Sequence, residues 1–195
     1  DGVKIGWAAG GERLAFARSG QLWLCAPDGY NLQSVKIEGH VVDLAASPAL
    51  DRVVVVTNTL NQNRIVTVDV KSGVVREIAE GDRPAISPDA TRIAYRASEG
   101  IVVMQADGSA PVTAVKATIQ DAPVVWNPAG TQLGFTARIG EVTGAMTAPA
   151  TAGAPPALVA RDGTAQCFSP DGKRLAYLAK GDLWLATLTR GTIVR

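Results

Sequence analysis

The chain has 195 residues, 47% of them apolar, and a formal net charge of +1. That composition supports one domain with a sizeable core, and the near balance of charge argues against a nucleic-acid binder, which carries a clear basic patch. No run of about 18 apolar residues suggests a helical membrane span, and the residues following Asp1 show neither the basic n-region nor the apolar h-region of a signal peptide.

In chain order, residues 3–7 read as a short strand ending on Trp7. The Gly10-Gly11 pair turns the chain into a second strand at Leu14-Ala15-Phe16. Gln21-Leu22-Trp23-Leu24 gives a third, before a turn at Asp28-Gly29. Glu38-Gly39-His40-Val41 reads as a connecting loop. A second set follows: a turn over Ser47-Pro48-Ala49-Leu50, the apolar run 53–56, a polar loop from Asn58 through Asn61 and Asn63, and the strand Ile65-Val66-Thr67-Val68. A turn at Ser72-Gly73 then leads to an outer strand at Val74-Val75-Arg76-Glu77. The third set runs from Ile86-Ser87-Pro88-Asp89 through Ile93-Ala94-Tyr95 and Ile101-Val102-Val103-Met104 to Asp107-Gly108. The fourth runs from Trp126-Asn127-Pro128 through Leu133-Gly134-Phe135 to a looser strand around Ala145-Met146. The prolines Pro149, Pro155 and Pro156 exclude a helix there. The fifth carries Phe168-Ser169-Pro170-Asp171-Gly172, Leu175-Ala176-Tyr177, Leu183-Trp184-Leu185, a turn at Gly191 and a last strand over 192–195.

These sets are copies of one unit, recurring at a step of roughly 40 residues, the period of a four-stranded propeller blade. Each opens on a bulky residue in four copies of five, passes a Ser-Pro-Asp-Gly-like turn, and continues as large–small–aromatic. In the turn, Pro fixes φ, Ser and Asp bond nearby amides, and Gly accepts positive φ. The strands do not alternate apolar with polar, as residues 53–56 illustrate, which suits sheets covered on both faces. The expected fold is therefore all-β: a β-propeller of five blades of four-stranded antiparallel sheet. The approximate units are 1–39, 40–80, 81–120, 121–162 and 163–195. Neither terminus lends a strand to the other end, so the blades either close by side-chain packing or form an arc of a larger propeller.

The bulky–Ser-Pro-Asp-Gly–Leu-Ala-Tyr pattern, followed by Gly-x-Leu-Trp-Leu, is strongest over residues 168–185 and resembles the TolB-type, WD-like propeller repeat. The resemblance implies a periplasmic or otherwise extracytoplasmic scaffold that binds a protein partner at one end of the propeller. Against that resemblance, the reading expects five repeats where TolB has six and no separate N-terminal domain ahead of them.

Few residues suggest chemistry. The one histidine, His40, has no Gly-x-Ser-x-Gly elbow to serve, and no cluster of Cys and His suggests a metal. Cys25 and Cys167 lie in apolar runs and read as buried free thiols. The acids Asp43, Asp82, Asp121 and Asp162 stand near the starts of inner strands. Their offsets drift between copies, which does not suit a pair of glycosidase carboxylates held at a set distance. No enzyme and no cofactor is expected. Trp7 and Trp126, and likewise Trp23 and Trp184, hold equivalent positions and read as packing between blades. Recognition is expected on the variable loops of one face. The candidate partner-binding residues there are Asp43, Asn61, Asn63, Asp82, Arg83, Asp121, Arg161 and Asp162, facing an unidentified protein partner, or a small ligand or glycan in the central pocket.

Overall fold

In a computed structural model, residues 4–189 and 192–194 are described. Val3, Gly191 and Arg195, placed above in a strand, a turn and a strand, lie outside the described residues. Among the described residues, the regular structure is all strand apart from one 3₁₀ turn at Ala9–Gly11.

Five antiparallel sheets follow one another along the chain, each built from consecutive strands. The first blade is β1 (Ile5–Ala8), β2 (Arg13–Arg18), β3 (Gln21–Cys25) and β4 (Gln33–Val35). The second is β5 (His40–Ala45), β6 (Arg52–Thr59), β7 (Gln62–Asp69) and β8 (Val75–Glu80). The third is β9 (Asp82–Ile86), β10 (Arg92–Ala97), β11 (Gly100–Gln105) and β12 (Val112–Lys116). In the fourth, the inner strand is broken into β13 (Thr118–Ile119) and β14 (Val125–Trp126), both pairing with β15 (Gln132–Ile139), and is followed by β16 (Val142–Pro149) and β17 (Ala157–Arg161). The fifth is β18 (Thr164–Phe168), β19 (Arg174–Ala179), β20 (Asp182–Thr189) and β21 (Thr192–Val194). His40, read above as part of a connecting loop, is the first residue of β5 and pairs with Asn58.

The repeated turn has one hydrogen-bond scheme. In the third blade Ser87 Oγ donates to Asp89 Oδ1 at 2.6 Å and accepts from Arg92 N at 2.9 Å. In the fifth, Ser169 Oγ donates to Asp171 Oδ1 and accepts from Arg174 N at 3.0 Å. Asn127 replaces the Ser in the fourth, its Oδ1 accepting from Thr131 N and Gln132 N at 2.8 and 2.9 Å. The last turn position has positive φ in all three: Ala90 at 58°, Gly130 at 66° and Gly172 at 68°.

The large–small–aromatic column has a packing cause. Leu133 and Phe135 point back against the third blade, among Ala94, Ile101 and Val103. Between them Gly134 points forward, where a Cβ would sit 3.0 Å from Phe168 and 3.1 Å from Leu175 of the fifth blade. A small residue on one blade thus makes room for the bulky residues of the next. Each junction buries such a cluster. Leu22 and Leu24 meet Val53 and Val55; Val54, Val56 and Ile65 meet Ile93, Tyr95 and Met104; Ala145 and Val159 meet Leu175 and Ala186. Residues 53–56 are wholly buried because their alternate side chains enter two different junctions. Burying one such Leu, Ile or Phe side chain is worth about 1.5–3 kcal/mol, so the junctions hold the blades in line.

The five blades make an arc of a propeller. Ile5 and Trp7 on the first blade and Leu178, Leu183 and Leu185 on the fifth are exposed, although their counterparts in the middle blades are packed. This changes the reading of two residue pairs. Trp126 is half-buried and its Nε1 donates to Ala85 O of the third blade at 2.9 Å, whereas Trp7, at the same position, faces back from the first blade and is 43% exposed. Cys25 is buried, but Cys167, expected to be buried too, is exposed. Cys167 pairs with Ala176, and Ala176 with Leu185, so all three share the uncovered face of the fifth blade.

Candidate functional site

The antiparallel order of strands sorts the connections onto two faces. One holds the repeated Ser-Pro turns and the third-to-fourth-strand turns, joined between blades by contacts such as Gly10 N to Pro48 O at 2.6 Å and Gly153 N to Thr113 O at 3.1 Å. The other holds the second-to-third-strand hairpins and the connections between blades. There Val41 N donates to Gly20 O at 2.9 Å, Gly81 N to Asn63 O at 3.0 Å, and Asp162 N to Thr143 O at 2.9 Å. This second surface is the loop face.

On the loop face five of the candidate residues are brought into one network running across the first four blades. Lys4 Nζ lies 3.4 Å from Asp43 Oδ1, and Arg83 Nη1 lies 3.8 Å from Asp43 Oδ2. Arg83 also donates from Nε and Nη2 to Asp121 Oδ1, at 3.0 and 2.6 Å. Arg96 donates from Nε to Asp82 Oδ1 at 2.5 Å and from Nη2 to Asp82 Oδ2 at 2.7 Å, and its Nη2 lies 3.3 Å from Asp121. Asp82 Oδ2 accepts in turn from Asn63 Nδ2 at 3.0 Å, and Asn63 Oδ1 from Asn58 Nδ2 at 2.7 Å.

The electrostatics follow from this geometry. The Arg83 hydrogen bond, and then the charges of Arg83 and Arg96, hold the Asp121 carboxyl below the usual carboxylate range. The hydrogen bond to Asp82 raises Arg96 above its ordinary value, so its charge is permanent. A bidentate arginine–carboxylate pair is both strong and directional. The network therefore reads as a strap holding adjacent blades in register at their inner strands.

The other three candidates stand apart. Arg161 ends β17 and Asp162 follows it with φ of 54°; neither forms an ion pair among the described residues. Asn61, with φ of 65°, is exposed at the tip of the β6–β7 hairpin beside Leu60. Arg161 instead lines a cleft of ≈ 640 Å³ between β17 and the fifth blade, together with Tyr177, Lys180 and Trp184. Trp184, expected to be interior packing, stands in that cleft and is half exposed.

Sequence reasoning missed Arg96, Lys4 and Asn58. Arg96 carried a visible signal: it falls where the other copies have Ala17, Val56, Thr136 and Leu178, the only charge in that column. Among the described residues no group of three or more His, Cys, Asp or Glu is arranged to hold a metal ion, and no helix is long and apolar enough to cross a membrane.

The architecture defines a β-propeller, and comparison with known proteins agrees. No family model and no curated protein matches the sequence. Solved structures do match. TolB from Acinetobacter baumannii superposes with a TM-score of 0.64 at 17% identity over 98% of this chain and 51% of that one. The β-propeller domain of Myceliophteria thermophila Cps50 (Swd1) gives 0.64 at 13% over 98% and 71%. Dipeptidyl peptidase 4 of Porphyromonas gingivalis gives 0.61 at 13% over 96% and 38%. The chain is thus a TolB-like, WD-like propeller in fold, spanning about half the length of the Acinetobacter protein. The propellers it matches include both TolB and an enzyme, so fold alone leaves activity undecided.

Proposed function

We propose that this propeller is a non-enzymatic protein-interaction or sensor domain working outside the cytoplasm, and that it binds a protein partner through its loop face. The observation that carries this reading is the pair of long hairpins there. The strands β6, β7, β15 and β16 each run for eight residues, against six for β10 and β11. They project Leu60, 93% exposed, and Ile139, 42% exposed, from a rigid scaffold. Apolar side chains held out on firm hairpins suit a protein surface better than a small solute. Asn61 lies beside Leu60, and Arg161 and Asp162 supply polar groups not engaged in ion pairs among the described residues, whereas Asp43, Asn63, Asp82, Arg83 and Asp121 set the positions of the loops around them.

The chemistry of the strap supports a non-enzymatic role. A glycosidase acid needs a raised pKa and an open position. Asp121 is instead held ionised, and Asp82 accepts from both Arg96 and Asn63. The match to TolB supports an extracytoplasmic setting. A second reading, a ligand- or glycan-binding propeller, is favoured by the Arg161–Tyr177–Lys180–Trp184 cleft, where two cations border two aromatic rings.

The test is affinity capture from an envelope extract of the source organism with three baits: the native chain, Leu60→Asp with Ile139→Asp, and Asp107→Ala on the opposite face. A protein retained by the first and third and lost by the second supports the reading. Retention by the loop-face variant with loss by the Asp107 variant overturns it.

A further inference from the structure

The fifth blade has a free strand edge where the other four are covered. In each of those blades an outer strand pairs with the third strand at two equivalent positions. Leu22 and Leu24 pair with Val35 and Gln33, Ile65 and Thr67 with Ala79 and Arg76, Ile101 and Val103 with Val115 and Val112, and Ala145 and Thr147 with Ala160 and Ala157. The matching residues of β20 are Leu183 and Leu185. There β21 pairs only with Thr187, Leu188 and Thr189, so residues 182–186 have no outer partner among the described residues. The main chain at Leu183 and Leu185 is aimed at that edge. Leu188 N donates to Lys173 O, next to β19, at 2.7 Å. Donors alternate sides along a strand, so the odd-numbered residues of β20 turn their N–H and C=O outward. An open edge of this kind is a template for another extended chain.

The same edge borders the cleft of ≈ 640 Å³ beside β17. Tyr177 and Trp184 are cross-strand partners and form one wall of it, Arg161 and Lys180 also line it, and no acid does. Neither cation forms an ion pair among the described residues. The counterparts of Trp184 in the second and fourth blades are Val66 and Met146, 6% and 2% exposed against 50% for Trp184. Each lies opposite a side chain of its own outer strand, Glu77 for Val66 and Leu158 for Met146. In the second blade that side chain is acidic and is held by a neighbouring cation: Arg64 Nη1 donates to Glu77 Oε1 and Oε2 at 3.1 and 2.8 Å. The fifth blade has the cations and lacks the carboxylate.

The geometry points to a second recognition site, separate from the hairpins of the loop face: an extended acidic peptide of a partner protein adds to β20 as an outer strand opposite residues 182–186 and seats one carboxylate in the cleft beside Trp184, between Arg161 and Lys180. Strand addition draws affinity from main-chain hydrogen bonds and selectivity from pockets that receive alternate side chains. Leu183 and Leu185 offer the first, and the cleft between them and β17 offers the second. The charge of the occupant follows from a lining with two cations and no acid, and from the glutamate that fills the corresponding place in the second blade.

The probe is a synthetic peptide of the molecule's own acidic outer strand, residues 75–80, acetylated at its N-terminus and labelled with fluorescein at its C-terminus. With Glu77 opposite Trp184, Arg76 and Ile78 of the peptide face Leu185 and Leu183. Fluorescence anisotropy against the native chain should show saturable binding. Methylating the peptide nitrogens of Arg76 and Ile78, which removes two strand hydrogen bonds, should weaken it at least about tenfold. Glu77→Lys in the peptide should weaken it by a similar factor. Arg161→Glu with Lys180→Glu in the protein, both exposed positions, should invert the preference so that the lysine peptide binds more tightly than the glutamate peptide. The protein with Leu60→Asp and Ile139→Asp should bind the peptide as the native chain does, which keeps this site distinct from the loop-face reading. Absence of saturable binding into the millimolar range overturns the inference. So does binding indifferent to N-methylation (a site for a free anion, with no added strand), binding indifferent to the charge exchange, or loss of binding in the Leu60 and Ile139 variant. A native chain that sediments as a dimer and is dissociated by the peptide also overturns it, since a second copy then holds the edge.

Discussion

Arg96 grips Asp82 with two hydrogen bonds, Nε to Oδ1 at 2.5 Å and Nη2 to Oδ2 at 2.7 Å, and reaches on to Asp121 of the next blade at 3.3 Å. Both partners of the bidentate pair are mostly buried, with 22% and 17% of their side chains exposed. One guanidinium therefore joins the inner strand of its own blade to the break in the inner strand of the following one.

Removing that guanidinium leaves a largely buried carboxylate with only Asn63 as its partner. Breaking a fully buried pair costs several kcal/mol. With some solvent access here, Arg96→Ala should lower unfolding free energy by about 2 kcal/mol. Arg96→Lys should recover only part of the loss, since lysine lacks the planar fork. Urea denaturation of the three proteins gives both differences.

Trp126 and Trp7 are equivalent in the repeat but not in energy. Trp126 bonds Ala85 O and lies under Arg92, whose Cζ is 4.9 Å from the ring centroid. Trp126→Ala should cost about 3 kcal/mol, the low end for a large aromatic because the ring is only half-buried. Trp7→Ala should cost less than about 1 kcal/mol, as for a surface position. Equal losses in chemical denaturation would mean that Trp7 is packed in solution.

Ala90 takes φ of 58° where Gly130 and Gly172 serve in the fourth and fifth blades. The left-handed region costs a residue with a Cβ about 1–2 kcal/mol. Ala90→Gly should therefore stabilise the protein by about 1 kcal/mol, less whatever the added freedom of the unfolded chain removes. The shift in melting temperature measures it.

Acid should destabilise the protein through its turns and its strap. Ser87 Oγ and Thr91 N hold Asp89 below the usual range, Ser169 Oγ and Lys173 N do the same for Asp171, and Arg83 does so for Asp121. A carboxyl whose folded pKa is depressed contributes stability that is fully present above its unfolded value, about 3.9, and is lost as pH falls through the folded value. The melting temperature should thus be flat with respect to these groups near neutrality and fall below about pH 4. Asp89→Asn and Asp171→Asn should each reduce that acid slope and leave the neutral-pH curve shape unchanged.

The blade plan was legible because it is written locally. A Ser-Pro-Asp turn fixes a hairpin through bonds between residues five apart or fewer, such as Arg92 N to Ser87 Oγ, and large–small–aromatic marks the second strand of a blade in four of the five copies. The candidate site was legible only in part. Asp43, Asn63, Asp82, Arg83 and Asp121 share one hydrogen-bonded and ionic network, but Asn63 is joined to Asp82 across 19 positions and Arg83 to Asp121 across 38. No spacing rule pairs residues at such distances. The same holds for Arg161, whose neighbours Tyr177 and Trp184 belong to another blade.

By itself, then, the sequence determined the strand order, the turn chemistry and the unit that repeats, since each rests on backbone geometry and on neighbours within a few residues. Only the tertiary structure decided which copies of that unit are covered. Leu22 and Leu183 share one local context, Gly-Gln-Leu-Trp-Leu and Gly-Asp-Leu-Trp-Leu, yet one is buried and the other bare. The difference is the presence of a following blade on one side chain and its absence on the other, and burial, unlike a turn, is a property of what stands opposite.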